Sequence, residues 1–306
     1  MDSTNDLVMT VVKNYDWPAL MLYAVSLAKC GFKGTKLMLV QGITPWARQE
    51  LTQLGFKLID FDFVDTLRGF GTIRFEPAAK FLRDNKGFRY VIWSDMRDAV
   101  YQRDPSEWLE KNLRPYRLLA SSEGVLIKSE IYNDQWVRQA FPEEHTWLKE
   151  HEVCNSGAIA GDAEVMQAVF EKIYEISLRS DSNTGAFLDQ GLWNYVLRVS
   201  PFKEVSKISK TDESFFTSCN WFLVHDHGRT AESTHGHMWI DRPPVMREGL
   251  VYPPKGSEPY CLVHQYDRDS EWYAAVYKRY VGVVPTAPAM IPQVISITRN
   301  IRWSRK

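Results

Sequence analysis

The chain has 306 residues, 44% of them hydrophobic and 25% charged, enough to bury a full core as one large domain or two small ones. With 37 basic and 38 acidic residues its formal net charge is −1, so no global field recruits nucleic acid and any partner is recognised locally. Cys30, Cys154, Cys219 and Cys261 lie far apart with no CxxC pair, which argues against a zinc ribbon and against a disulfide-dense secreted scaffold.

The N-terminal MDSTNDLVMTVVKNYDW carries acids where a signal peptide has basic residues, and no apolar run in the chain approaches the ~20 residues of a membrane span. A soluble, cytoplasmic protein without a transmembrane segment is the expectation. Leu7 to Val12 reads as a first strand. Asn14 and Asp16 serve as turn or cap residues before a helix from Trp17 to Cys30, with Pro18 in its first turn and Gly31 past its end. Lys36 to Gln41 is a second strand; Thr44-Pro45 opens a helix that runs to Leu54 and stops at Gly55; Lys57 to Asp62 is a third strand. This alternation predicts a parallel sheet with right-handed crossovers.

Arg74 to Asn85 reads as a helix, with Pro77 in its first turn or kinking it. Tyr90 to Ser94 is a fourth strand, apolar on both faces as a central parallel strand is. It ends in Asp95 and Asp98, with Arg97 between them. Ligands of open α/β sheets bind beyond the carboxyl ends of the strands, where these acids stand. Further on, Leu118 to Glu123 and Cys154 to Ala160 are strand-like, and Asp162 to Arg179 and Phe187 to Leu197 have helical periodicity. Beyond Pro201 come turns, aromatics and histidines. The expected architecture is one mostly parallel α/β domain over residues 1–284, more irregular in its C-terminal half. The Pro-rich, then basic segment 285–306 is an arm or docking tail, a means of peripheral association.

Two carboxylates three residues apart past a strand suit a hard divalent cation, Mg²⁺ or Mn²⁺, which in turn bridges phosphates. The other reading makes Asp95 a turn cap and places Arg97, Asp98, Arg103 and Asp104 in a solvated charge network. His225, His227, His235 and His237 fall within 13 residues. They form either a zinc site or, given Gly228 and Gly236, a loop over an acceptor.

The stretches SDMRDAVYQRDP (94–105), CNSGAIAG (154–161), DQGLWNYV (189–196) and VHQYDRD (263–269) resemble, in this order, the GT-A fold of nucleotide-sugar-dependent glycosyltransferases. The acidic signature departs from that family's DXD and reads D-x-x-D. The resemblance implies transfer of a sugar from a UDP- or GDP-linked donor to a glycan or other hydroxyl acceptor, with Mn²⁺ or Mg²⁺ stabilising the diphosphate leaving group. It also implies a nucleotide-sugar half at 1–110 and an acceptor half at 111–284. By the same resemblance Asp98 holds the metal directly and Asp95 either directly or through ribose or water, with His264 as a third ligand. Arg74 and Lys80 contact the sugar nucleotide. Val12 and Tyr15 face the base, and Ser94, Asn155, Ser156, Gly157 and Gln190 line the donor. Asp189 acts as general base or binds acceptor hydroxyls. Each position keeps a plainer reading: helix surface charge for Arg74 and Lys80, a hydrogen-bonded core histidine for His264, a helix cap for Asp189. Two other classes stand beside this one. A nucleotidyltransferase is disfavoured because VVKNYDW stands where a Gly-rich phosphate loop would follow the first strand. A non-catalytic carbohydrate-binding protein would use some of the 11 Trp, 14 Tyr and 15 Phe to stack on sugars.

Overall fold

The computed structural model describes residues 3–62, 69–179, 188–219 and 244–282. His225, His227, His235 and His237, and the tail from Pro285, lie outside the described residues.

The first third follows the sequence closely. Strand β1 (Leu7–Lys13) leads into α1 (Trp17–Lys29), where the Asp16 carboxylate accepts the Trp17 N–H at 2.7 Å. After β2 (Thr35–Gln41), Thr44 caps α2 (Pro45–Gln53) by accepting the Ala47 N–H at 3.1 Å. Both helices start with a cap and carry proline in the first turn, where the missing N–H costs nothing. Strand β3 (Phe56–Asp60) follows. Two short helices, α3 (Phe70–Ile73) and α4 (Phe75–Asp84), meet at Arg74. Strand β4 (Tyr90–Ser94) is buried along its whole length.

Next come β5 (Ala99–Tyr101), α5 (Pro105–Asn112), β6 (Leu118–Leu126), α6 (Ile131–Ala140), α7 (His145–Leu148), β7 (Glu152–Asp162), α8 (Ala163–Arg179) and α9 (Leu188–Val196). The rest comprises α10 (Phe202–Val205), β8 (Ser206–Ser209), β9 (Phe216–Ser218), β10 (Val245–Arg247), β11 (Leu250–Tyr252), β12 (Leu262–His264) and α11 (Ser270–Val281).

A seven-stranded sheet runs in the order β3-β2-β1-β4-β7-β6-β8. Its first four strands are parallel, β7 is antiparallel to both β4 and β6, and β8 is parallel to β6. The sheet is thus mostly parallel, with strand β7 reversed beside the central β4. Alternate residues of β1 feed two core layers: Leu7, Met9 and Val11 on one side, Val8 and Val12 on the other. In the first layer Trp93 stacks on Phe75 at 5.3 Å and packs on Phe170 at 5.0 Å between ring centroids, a dense aromatic floor.

A second, three-stranded sheet in the order β5-β12-β9 gives the C-terminal half more regularity than its sequence suggested. Strand β12 pairs antiparallel with β5, setting His264 opposite Ala99 and Val263 opposite Val100. Helix α11, capped by Asp269 and closed by Gly282 at φ 86°, covers Val100, Val263 and Tyr260. Among the described residues no helix is long and apolar enough to cross a membrane.

Candidate functional site

The strand pairings themselves build the site. Asp95 follows the end of β4, and its backbone N–H donates to the Gly157 carbonyl at 3.0 Å, which ties it to β7. Asp98 precedes β5, and its carbonyl accepts the Gln265 N–H at 2.6 Å, which ties it to the end of β12. His264 therefore arrives beside both acids. Its Nε2 lies 3.4 Å from Asp95 Oδ2 and 3.2 Å from Asp98 Oδ1. One ligand atom from each of the three residues falls within 4.8 Å of the other two. Gln265 adopts the left-handed φ of 59° directly after His264, a strained conformation for a residue with a side chain.

Two carboxylate oxygens and an imidazole nitrogen are a donor set suited to Mn²⁺ or Mg²⁺. Gly157 keeps the space between them open: a Cβ there would stand 2.7 Å from Asp95 Oδ2 and 2.8 Å from His264 Cε1. His264 Nε2 is hydrogen-bonded to both acids, while its buried Nδ1 has no hydrogen-bond partner among the described residues. The three residues fit a divalent cation.

Arg74 is the hub beneath them. It donates through Nη1 to Asp95 Oδ1 and through Nη2 to Asp189 Oδ2 at 2.8 Å, while Nε donates to the Gly71 carbonyl at 3.0 Å. Its guanidinium sits over Trp93 and Phe75, 5.2 and 5.5 Å from their centroids, a desolvated cation–π seat. Asp189 also accepts the Ser156 hydroxyl at 3.3 Å. Gln190 links outward, taking the Ser156 N–H at 3.2 Å and donating to Asn133 Oδ1 at 2.9 Å.

The electrostatics follow from burial and pairing. Burial alone would raise Asp95 and Asp98, but Arg74 beside Asp95, and His264 and Arg97 beside Asp98, hold both carboxyls well below the usual range. For His264 burial pulls down, yet the Asp98 charge and the hydrogen bonds to both acids push it up to about 10. Asp189 is raised by burial, which outweighs the Arg74 charge, with Asp95 adding to the rise. Tyr15, half-buried after β1, is raised by burial, with Arg97, Asp98 and Asp95 within electrostatic reach.

Of the residues singled out from sequence, Asp95, Asp98, His264, Arg74, Asp189, Ser156, Gly157 and Gln190 converge here, and Tyr15 flanks them. Asn155 is also present, but its side chain is engaged internally: it donates to Glu123 and accepts the Gly157 N–H at 2.7 Å. Three expectations are corrected. Lys80 is on the exposed face of α4 and pairs with Asp84 at 2.6 Å. The Ser94 hydroxyl is in the core between Tyr101 at 2.9 Å and Tyr23 at 3.2 Å. The Val12 side chain is fully buried in the layer under α1. The solvated network is corrected as well. Arg97 is half-buried between Asp98 and Asp267, at 2.6 and 2.7 Å, and Asp104 instead caps α5 by accepting the Ser106 N–H at 2.8 Å. Glu123 and Asn133, which support the 155–157 stretch of β7 and Gln190, carry no sequence signal, since both sit singly in ordinary strand and helix patterns.

No protein-family model matches the chain, and no curated protein matches it. Solved structures do. The galactosyltransferase LgtC in complex with donor and acceptor sugar analogues superposes with a TM-score of 0.55 at 14% identity, over 94% of this chain and 99% of that one. An active-site mutant of LgtC gives 0.55 at 13% identity, over 93% and 98%. The bifunctional glycosyltransferase WbbM gives 0.52 at 12% identity, over 84% of this chain and 45% of that one. The chain therefore has the mixed, mostly parallel α/β fold of GT-A glycosyltransferases.

Proposed function

We propose that this protein transfers a sugar from a UDP- or GDP-linked donor to a hydroxyl of a glycan acceptor. The observation that carries this reading is the convergence of Asp95, Asp98 and His264 on a space held open by Gly157, beyond the carboxyl end of β4. The fold, shared with glycosyltransferases, supports it. Asp95, Asp98 and His264 would hold Mn²⁺ or Mg²⁺, which would supply positive charge to a diphosphate leaving group.

The chain's own residues set the rest. Arg74 holds Asp95 and Asp189 through one guanidinium, which fixes the cation-binding acid relative to the acceptor-side acid. Burial raises the affinity of Asp189 for a proton, which suits a group that hydrogen-bonds a sugar hydroxyl or takes its proton. Tyr15 offers a ring for stacking at the end of β1.

The test is a screen of UDP- and GDP-sugars for binding, hydrolysis and transfer with Mn²⁺, with and without chelator, on wild type and Asp98→Ala. Turnover of one donor that vanishes with chelator and in the variant is expected. Turnover that survives both would overturn the cation assignment. Sugar binding without nucleotide dependence or turnover would replace the enzyme reading with the carbohydrate-binding one.

A further inference from the structure

Each acid of the D-x-x-D stretch divides its two oxygens. Asp95 gives Oδ1 to Arg74 and turns Oδ2 to His264. Asp98 gives Oδ2 to Arg97 Nη2 at 2.6 Å, with Arg268 Nη2 3.8 Å away, and turns Oδ1 to His264. Arg97 is itself held, because its Nη1 donates to Asp267 Oδ2 at 2.7 Å. Asp98, Asp267, Arg97 and Arg268 thus form a compact charge cluster behind the cradle, every side chain at most 18% exposed.

We infer that Arg97, which stands between the two acids, is a positioning residue. It restricts Asp98 to one coordinating oxygen and offsets its charge, so the centre takes up a divalent cation strongly only together with a nucleoside diphosphate. This rests on the cation reading proposed above.

Two physical arguments meet here. The first is ligand number: the protein offers three atoms, whereas a small hard cation takes about six, so water or phosphate oxygens must complete the shell. The second is charge. Asp95, Asp98, Asp189 and Asp267 face Arg74, Arg97 and Arg268. The formal charges of these seven side chains sum to −1, which a divalent cation alone turns positive. A diphosphate turns it back.

The experiment measures Mn²⁺ affinity of the full chain by electron paramagnetic resonance and calorimetry, alone and with UDP or GDP. Wild type is expected to bind Mn²⁺ at least about tenfold more tightly with one of the nucleotides, and Arg97→Gln to bind Mn²⁺ alone about tenfold more tightly than wild type, as loss of a unit charge a few ångströms from the ion implies. Arg97→Lys, which keeps the charge, retains most of the nucleotide dependence. Because Arg97→Gln leaves Asp267 without its hydrogen-bond partner, the double variant Arg97→Gln/Asp267→Asn, which keeps the net charge of the cluster, is measured alongside, and a smaller tightening, from the freed Asp98 Oδ2 alone, is expected there. Unchanged Mn²⁺ affinity in both variants overturns the inference. So does a wild type that binds Mn²⁺ equally well with and without nucleotide. A wild type that binds no Mn²⁺ even with UDP and GDP removes the cation reading itself.

Discussion

At the scale of single residues, the cradle leaves no room for a methyl group. In Gly157→Ala the new Cβ would meet Asp95 Oδ2, His264 Cε1 and Asn155 Oδ1 at 2.7, 2.8 and 2.9 Å. All three neighbours are side chains, so the fold can accommodate the change at a cost of about 1–3 kcal/mol, but only by turning the acid and the imidazole aside. The expected outcome is a folded protein whose nucleotide-supported Mn²⁺ binding is lost, read by calorimetry beside a denaturant melt. Retained Mn²⁺ affinity would place the cation elsewhere. The same scale explains which site residues were legible. Asp95 and Asp98 stood out because acids interrupt an apolar run at a strand end. Ser94 was misplaced because neighbouring strand residues point to opposite faces, so Ser94 and Asp95 cannot both enter one site. Arg74 and Lys80 are six residues apart, about 240° around a helix, and only one of them can look inward. Arg97 was visible as a residue but not as a partner of Asp267, since a contact across the fold leaves no local trace.

At the scale of elements, the strands and helices of the first third were legible because proline, glycine and cap residues punctuate each one. The direction of β7 was not, because an apolar strand buried on both faces reads the same whether parallel or antiparallel. Helix α11 was missed although it carries both end signals, Asp269 before it and Gly282 after it, and between them Trp272, Tyr273, Val276, Tyr277 and Tyr280 at helical spacing. This helix backs the sheet that delivers His264, packing Val276, Tyr277 and Tyr280 against Val100 and Val263. Its cap is therefore worth testing. The Asp269 carboxylate accepts the N–H groups of Glu271 and Trp272, each at 2.9 Å. Asp269→Ala should cost about 1 kcal/mol, and Asp269→Asn, which keeps an accepting oxygen, only a fraction of that. Equal losses in the two variants, measured by urea denaturation, would mean that the carboxylate acts through its charge rather than as a cap.

At the scale of the whole molecule, the site joins parts of the chain that are far apart in sequence. Asp95 and Asp98 belong to the segment after β4, Ser156 and Gly157 to β7, Asp189 to α9 and His264 to β12. The pairing of β4 with β7 makes one sheet of the two halves, and the pairing of β5 with β12 locks the last contributor onto the first. A ligand set that bridges these segments binds only the folded chain, so it must stabilise folding by mass action: about 2.7 kcal/mol when the free ligand stands at 100 times its dissociation constant. With Mn²⁺ and the nucleotide that the screen identifies, the melting temperature should rise, and chelator should return it to the ligand-free value. The decisive point is which probes move. Because the segments share continuous cores, tryptophan fluorescence and far-UV circular dichroism should shift together as one cooperative transition. A shift in fluorescence alone would mean that the ligand orders only the surroundings of the cradle, and that the sheet pairings do not couple the site to the rest of the fold.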